Sequence, residues 1–279
     1  MACKDILVHF DGTASGVKRV EAAARLAERH GAHLAALVLD FGAQVPVFLD
    51  GQVPAGIVAQ LARAAAEETA RQAAELDALL ARQSCQTERR VARCRPDTIA
   101  DTLALHARYA DLLVLGQPPV DEMVAVSQSV VEEVLLSSGR PVLIVPYIGA
   151  GATIGDRVLV AWDGGREAAR AVADAMPIIE KARSVHVLTV NADRTGNHGE
   201  EPGADIALHL ARHGVPVEVA STRADTIAAS DLTLNWMFEY GTDLLVMGAY
   251  GHSRVRELVL GGMTRGMLRN MTVPVLMSH

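Results

Sequence analysis

The sequence predicts an α/β chain of two similar domains, each a doubly wound parallel sheet. Short apolar runs alternate with Ala-rich helical patterns, the signature of parallel strands joined by right-handed crossovers. Half of the 279 residues are hydrophobic and only 4% are aromatic, so the cores must be packed from Ala, Val, Leu and Ile. That mixture suits strands buried on both faces under helices. The third observation is a duplication. KDILVHFDG (Lys4 to Gly12) returns as DRVLVAWDG (Asp156 to Gly164), ADLLVLG (Ala110 to Gly116) as TDLLVMG (Thr242 to Gly248), and PVLIV (Pro141 to Val145) as PVLM (Pro274 to Met277).

The elements follow in order. Ser15 to His30 and Ile57 to Gln83 are rich in Ala, Leu, Glu and Arg and predict helices; within the second, Ala64 to Leu80 is expected to be a packing element. Glu167 to Lys181 and Ile206 to His213 predict helices in the second half, with strands near 157–162, 185–190, 215–220, 243–247 and 273–277. The repeat offset is 152 residues at the first matched pair but 132 and 133 at the later two. The first half therefore carries about 20 extra residues, which the Gly- and Pro-rich stretch Phe41 to Gly56 is expected to hold as a surface excursion or interaction loop. Gly149 to Gly155 has linker composition where the register restarts. The expected domains are 1–148 and 156–279, joined by 149–155.

The formal net charge of −7 argues against a nucleic-acid backbone or an anionic membrane as the main partner. The opening Met1 to Val8 runs directly into a strand pattern, leaving no space for a secretion signal, and no run of 18 apolar residues occurs. A cytoplasmic protein is expected. Cys3, Cys85 and Cys94 lack the paired spacing of a zinc or redox motif and read as reduced thiols. His209 and His213 stand i, i+4 in HLARH, without the glutamate of the zinc-protease motif or an evident third ligand, so no metal site is predicted. No nucleophile elbow or triad is evident, and no catalytic residue is assigned.

The candidate site is a glycine loop. DLLVM (Asp243 to Met247) runs into Gly248, Gly251 follows, and nine residues later come Gly261, Gly262, Met263 and Thr264. Glycine admits close backbone approach to an anion, and the N–H groups of the next helix start point at it. Asp163 ends the first strand of the second half. If that strand neighbours the one ending at Gly248, an acceptor for ribose hydroxyls and a phosphate cradle share one crevice beyond the strand ends. Val190, ending the second strand, could offer backbone groups to a base.

Gly248, Gly251 and Gly261 fall on the Gly-x2-Gly-x9-Gly pattern of nucleotide-binding universal stress proteins, and the second half resembles that family through VLVAWDGGREAARAV and the Pro-Val-Leu ending. The duplication makes the whole chain similar to a tandem member. The resemblance implies Rossmann-like domains of strand order 3-2-1-4-5, paired through their last strands, 142–146 and 274–277, into an intramolecular pseudo-dimer. A homodimer of such chains is compatible with it. It also implies ATP, with or without magnesium, as an adenine-nucleotide ligand of a stress-response sensor. Ala161, Trp162, Asp163, Val190, Met247 and Gly248 then meet base and ribose; Gly251, His252, Ser253, Arg254, Gly261, Gly262, Met263 and Thr264 surround the phosphates. Where the family has Ser or Thr, this chain has Gly262; Thr264 offers a hydroxyl nearby.

Arg254, Arg256, Arg265 and His252 are candidates to neutralise phosphate. The first half departs from the pattern. Gly116-Gln117-Pro118-Pro119 replaces the second half's GAYG, proline has no N–H to donate, and Gln128 and Ser129 stand opposite Gly261 and Gly262. Asp121 and Glu122 occupy the loop where the other half has His252 and arginines, so this half is expected to be a degenerate partner. Two rival functions are a slow ATP hydrolase or nucleotidyl transferase, with His252 the one nameable proton acceptor, and a nucleotide-free adaptor gripping a protein through 41–56.

Overall fold

A computed structural model describes residues 3–43, 54–118, 126–192, 201, 203–224, 226–251 and 262–279. The first half runs β1 (Asp5–Phe10), α1 (Ala14–His30), β2 (His33–Asp40), α2 (Ala55–Leu80), β3 (Thr87–Arg93), α3 (Ile99–Ala107), β4 (Leu112–Gly116), α4 (Gln128–Ser137) and β5 (Val142–Val145). The second runs β6 (Arg157–Ala161), α5 (Arg166–Ile179), β7 (Ser184–Val190), α6 (Ala204–Arg212), β8 (Val217–Thr222), α7 (Ala229–Glu239), β9 (Leu244–Gly248), α8 (Met263–Asn270) and β10 (Val275–Ser278).

Together the strands form one ten-stranded sheet in the order β3-β2-β1-β4-β5-β10-β9-β6-β7-β8. Each half therefore has the order 3-2-1-4-5. Every pairing is parallel except the central one, where β5 and β10 run antiparallel with Leu143 opposite Leu276 and Val142 opposite Met277. These side chains are buried, at roughly 1.5–3 kcal/mol for each large apolar one. The expected pseudo-dimer is thus a single continuous sheet inside one chain.

Composition explains each strand's place. LLVLG and LLVMG are apolar throughout and sit centrally, covered on both faces. TERRVAR and VEVAST have no buried residue and take the two edges, where the charges of β3 discourage strand addition. Alternate residues feed two cores: Ile6, Val8 and Phe10 join the layer with α1 and α5, while Leu7 joins the layer with α3, α4, α7 and α8.

The repeated aspartate of the DLLV segments has a structural role. Asp111 accepts the N–H groups of Lys4 (2.7 Å) and Asp5 (3.1 Å), and Asp243 accepts those of Gly155 (2.9 Å), Asp156 (3.1 Å) and Arg157 (2.9 Å). Each carboxylate ties the start of its half's first strand to the strand beside it. Residues 149–155 are held by α1: Arg29 donates to the Ile154 carbonyl (2.8 Å) and pairs with Asp156 (2.9 Å), and Arg25 donates to the Gly151 carbonyl (3.2 Å).

Two expectations are corrected. The first half's extra length lies mainly in α2, which has 26 residues against 9 in α6, and not in 41–56. The segments joining β2 to α2 and β7 to α6 are nearly equal in length. Residues 44–53 lie outside the described residues. Nor is Ala64 to Leu80 a packing element over its length. Only Leu76, Leu79 and Leu80 of α2 are buried, and Ile57 and Leu61 are 48% and 42% exposed. Its first turns are exposed, Thr69 donates to Asp40 at the end of β2 (3.3 Å), and only the last turns enter the core.

Candidate functional site

β6 and β9 are neighbours, with Ala161 opposite Met247 in the register. Beyond them Gly164 turns the chain at φ 72°, and the Asp163 Oδ1 accepts the Gly165 N–H at 2.8 Å, which leads the backbone into α5. Asp163 and Gly248 therefore end adjacent strands. At Gly248 a Cβ would lie 2.6 Å from the Ala168 nitrogen and 2.7 Å from the Glu167 carbonyl carbon, so this glycine is required by the closeness of α5 to β9. A Cβ on Gly251 would lie 3.0 Å from Glu167 Oε2 and 3.8 Å from Asp163 Oδ2. Two carboxylates converge beside this glycine.

The remaining described candidates divide between packing and the crevice. Gly262 is the N-cap of α8, which lacks a side-chain cap; Met263, next in line, packs against the core. Thr264 is buried, and its hydroxyl oxygen accepts the Tyr250 N–H at 3.4 Å, tying α8 to the strand end. Tyr250 itself is left-handed, at φ 58°, which sharpens the turn after β9. Trp162 continues the ladder by donating to the Leu188 carbonyl at 2.9 Å. Val190 ends β7 opposite Thr222, half-buried against the same core as Ala161. His279 contacts the Ala249 carbonyl through Nδ1 at 2.9 Å, bringing the last residue to the crevice. His252, Ser253, Arg254, Arg256 and Gly261 lie outside the described residues. Arg265 is turned to another use: it pairs with Glu132 of α4 at 3.3 Å, across the two halves.

The equivalent crevice of the first half contains a side chain of its own. Gly12 makes the same turn at φ 71°, and Thr13 caps α1 by accepting the Gly16 N–H at 2.9 Å. Arg19, two turns into α1 and 4% exposed, donates to the His9 carbonyl (2.7 Å) and to Asp11 (2.9 Å). A Cβ on Gly116 would collide with its Nη1. The guanidinium thus lies between the end of β1 and the end of β4. The corresponding residue of α5 is Ala171. Burial raises the Asp11 pKa, but Arg19, His9 and the Thr13 hydroxyl together outweigh it and hold the carboxyl well below the usual range. The adjacent His9 imidazole is pushed down to about 3 by burial and by Arg19.

Gln117, the first residue of the divergent loop, is buried. Its amide donates to the Leu268 and Arg269 carbonyls, both at 3.0 Å, capping the end of α8 in the other half. Gln128 donates to Glu132 at 2.9 Å, and the Ser127 and Ser129 hydroxyls lie 2.9 Å apart. Asp121 and Glu122 lie outside the described residues.

Residues 155–279 match the universal stress protein family. The second half is similar to that family along its whole length. A universal stress protein of Synechocystis sp. is 28% identical over 148 residues, 52% of this chain and 49% of that protein, so the chain spans about half the length of this curated relative. A universal stress protein from Archaeoglobus fulgidus DSM 4304 superposes with a TM-score of 0.75 at 17% identity, covering 100% of this chain and 99% of the other. A functionally unknown protein from Pseudomonas aeruginosa PAO1 gives 0.60 at 16% identity, over 99% and 92%. At these identities the likeness is one of fold, and it extends through both halves.

Sequence reasoning missed Glu167 in the second half. It is 5% exposed, in the first turn of α5, with its carboxylate at Gly251. The available signal was its spacing, four residues after Asp163 at a helix start. Burial raises its pKa, but the Arg166 guanidinium, its own backbone N–H and His279 outweigh burial and leave it below the usual carboxylate value. Among the described residues no group of three or more His, Cys, Asp or Glu could hold a metal ion, and no helix is long and apolar enough to cross a membrane.

Proposed function

We propose that the second half binds an adenine nucleotide, ATP with magnesium, in the crevice beyond β6 and β9, and that the chain is a non-catalytic sensor or signalling module in a stress response. One observation carries the reading: Asp163 and Gly248 end adjacent strands inside the segment that matches the family, with the glycine spacing of its nucleotide-binding members. Asp163 suits the ribose as a hydrogen-bond acceptor. Ala161, Trp162, Val190, Met247 and Gly248 would border the base and sugar. Gly251, Gly261, Gly262 and Thr264, with His252, Ser253, Arg254 and Met263, would border the phosphates, and bound magnesium would screen their charge. In this reading residues 156–279 form the binding domain and residues 1–148 a partner that takes no nucleotide, because Arg19 already lies against Asp11 and Gly116.

Calorimetry with Mg-ATP tests it. Saturable binding at one site per chain, lost in Gly251→Val and Gly261→Val and unchanged in Gly116→Val variants that remain folded, is the expected result. No saturable binding by the unmodified protein would sink it.

A second reading, an adaptor for a protein partner, is supported by the exposed start of α2, where Ile57 and Leu61 face solvent. Its test is partner capture by the unmodified chain and by a variant carrying Ile57→Lys and Leu61→Lys. Equal capture by both would remove α2 from the account.

A further inference from the structure

A helix N-terminus beside a glycine turn favours an anion, through its free N–H groups and its dipole. At the start of α5 that favour is already used by the protein. Glu167 stands in the first turn, 5% exposed, and Arg166 donates to its Oε1. Its other oxygen, Oε2, is the carboxylate oxygen that a Cβ on Gly251 would meet at 3.0 Å, with Asp163 Oδ2 at 3.8 Å from the same point. The first half differs at both positions: Ser15 occupies the place of Glu167, and Arg19 supplies a cation where α5 has Ala171.

We propose that Glu167 is the charge filter of this site, admitting the nucleoside part of a ligand freely and opposing phosphates whose charge is not neutralised by a divalent cation. The inference rests on the nucleotide reading given above. A phosphate brought to Gly251 comes within contact range of one carboxylate and close to a second, and like charges so placed in a partly buried crevice repel strongly. A divalent cation travelling with the phosphates reverses the sign of that interaction, whereas adenosine never brings a charge to Gly251.

The test is calorimetry on the full chain, comparing the unmodified protein with Glu167→Gln and Glu167→Ala. Three ligands are titrated: adenosine, ATP with a chelator and ATP with magnesium. Glu167→Gln keeps the shape of the side chain, and circular dichroism confirms that each variant is folded. The expected result is unchanged adenosine affinity, a gain of tenfold or more for metal-free ATP in both variants, and a much smaller change for Mg-ATP. Adenosine binding without the gain for metal-free ATP overturns the filter and leaves the nucleotide reading standing. If none of the three ligands binds to any of the proteins, the nucleotide reading fails and the filter fails with it.

Discussion

Arg19 donates to Asp11 at 2.9 Å from a position only 4% exposed, so the first half holds its own cation at the strand end. The counterpart of that aspartate, Asp163, faces Glu167 and Gly251 instead. Two copies of one fold have thereby acquired crevices of opposite character.

Removing Arg19 should leave both a hole and a half-buried carboxylate that keeps its Thr13 hydrogen bonds but loses its cation. Arg19→Ala is expected to cost about 1–3 kcal/mol in urea unfolding, the range for losing one partner of a partly buried polar pair. Methylguanidinium at millimolar concentration should restore part of the loss, because Asp11 and the His9 carbonyl remain as acceptors. Absence of rescue would mean that the helix contributes more than the guanidinium.

The two strand-end glycines should respond differently to a methyl group. Gly248→Ala places it 2.6 Å from the Ala168 nitrogen and 2.7 Å from the Glu167 carbonyl carbon, backbone groups with nowhere to go, at about 1–3 kcal/mol or more. Gly116→Ala meets the end of a flexible side chain. Its cost should largely vanish when combined with Arg19→Ala, and a double-mutant cycle measures that coupling.

Gln117 joins the halves by capping α8. Gln117→Leu strands the Leu268 and Arg269 carbonyls and should lower stability by about 1–3 kcal/mol. Calorimetric unfolding should show the second half melting earlier. An unchanged transition would mean that water replaces the amide.

Acid should destabilise the protein through His9. The imidazole titrates near 6.5 when unfolded and near 3 when folded, so between those values the unfolded chain carries the extra proton and stability falls as pH drops. At ~1.4 kcal/mol per unit, this group alone accounts for ~3 kcal/mol by pH 4.5. His9→Leu should flatten the pH dependence by about that amount, read from urea midpoints at pH 7 and 4.5. An equally steep fall in the variant would assign the acid sensitivity elsewhere.

Much of the fold was legible because strands and duplications are local signals. The helices α1 and α5 were readable from their Ala-rich patterns and start within a residue of where the sequence put them. By contrast, α7 (ASDLTLNWMFE) carries a weak stripe among polar and aromatic residues, and no helix was expected there. The length of α2 was misplaced because a Gly- and Pro-rich stretch resembles an insertion, while a longer helix adds residues without any break in pattern.

At the site, the sequence by itself determined the glycine spacing, the aspartate at the strand end and the replacement of the glycine pattern in the first half. All three are written in consecutive residues. Only the tertiary structure decided what occupies each crevice. Arg19 reaches Gly116 across nearly a hundred residues because β1 and β4 are hydrogen-bonded neighbours, and Glu167 reaches Gly251 because β9 passes so close to the start of α5 that Gly248 can carry no Cβ. Charge is encoded at one position, but its consequence depends on which backbone is folded beside it.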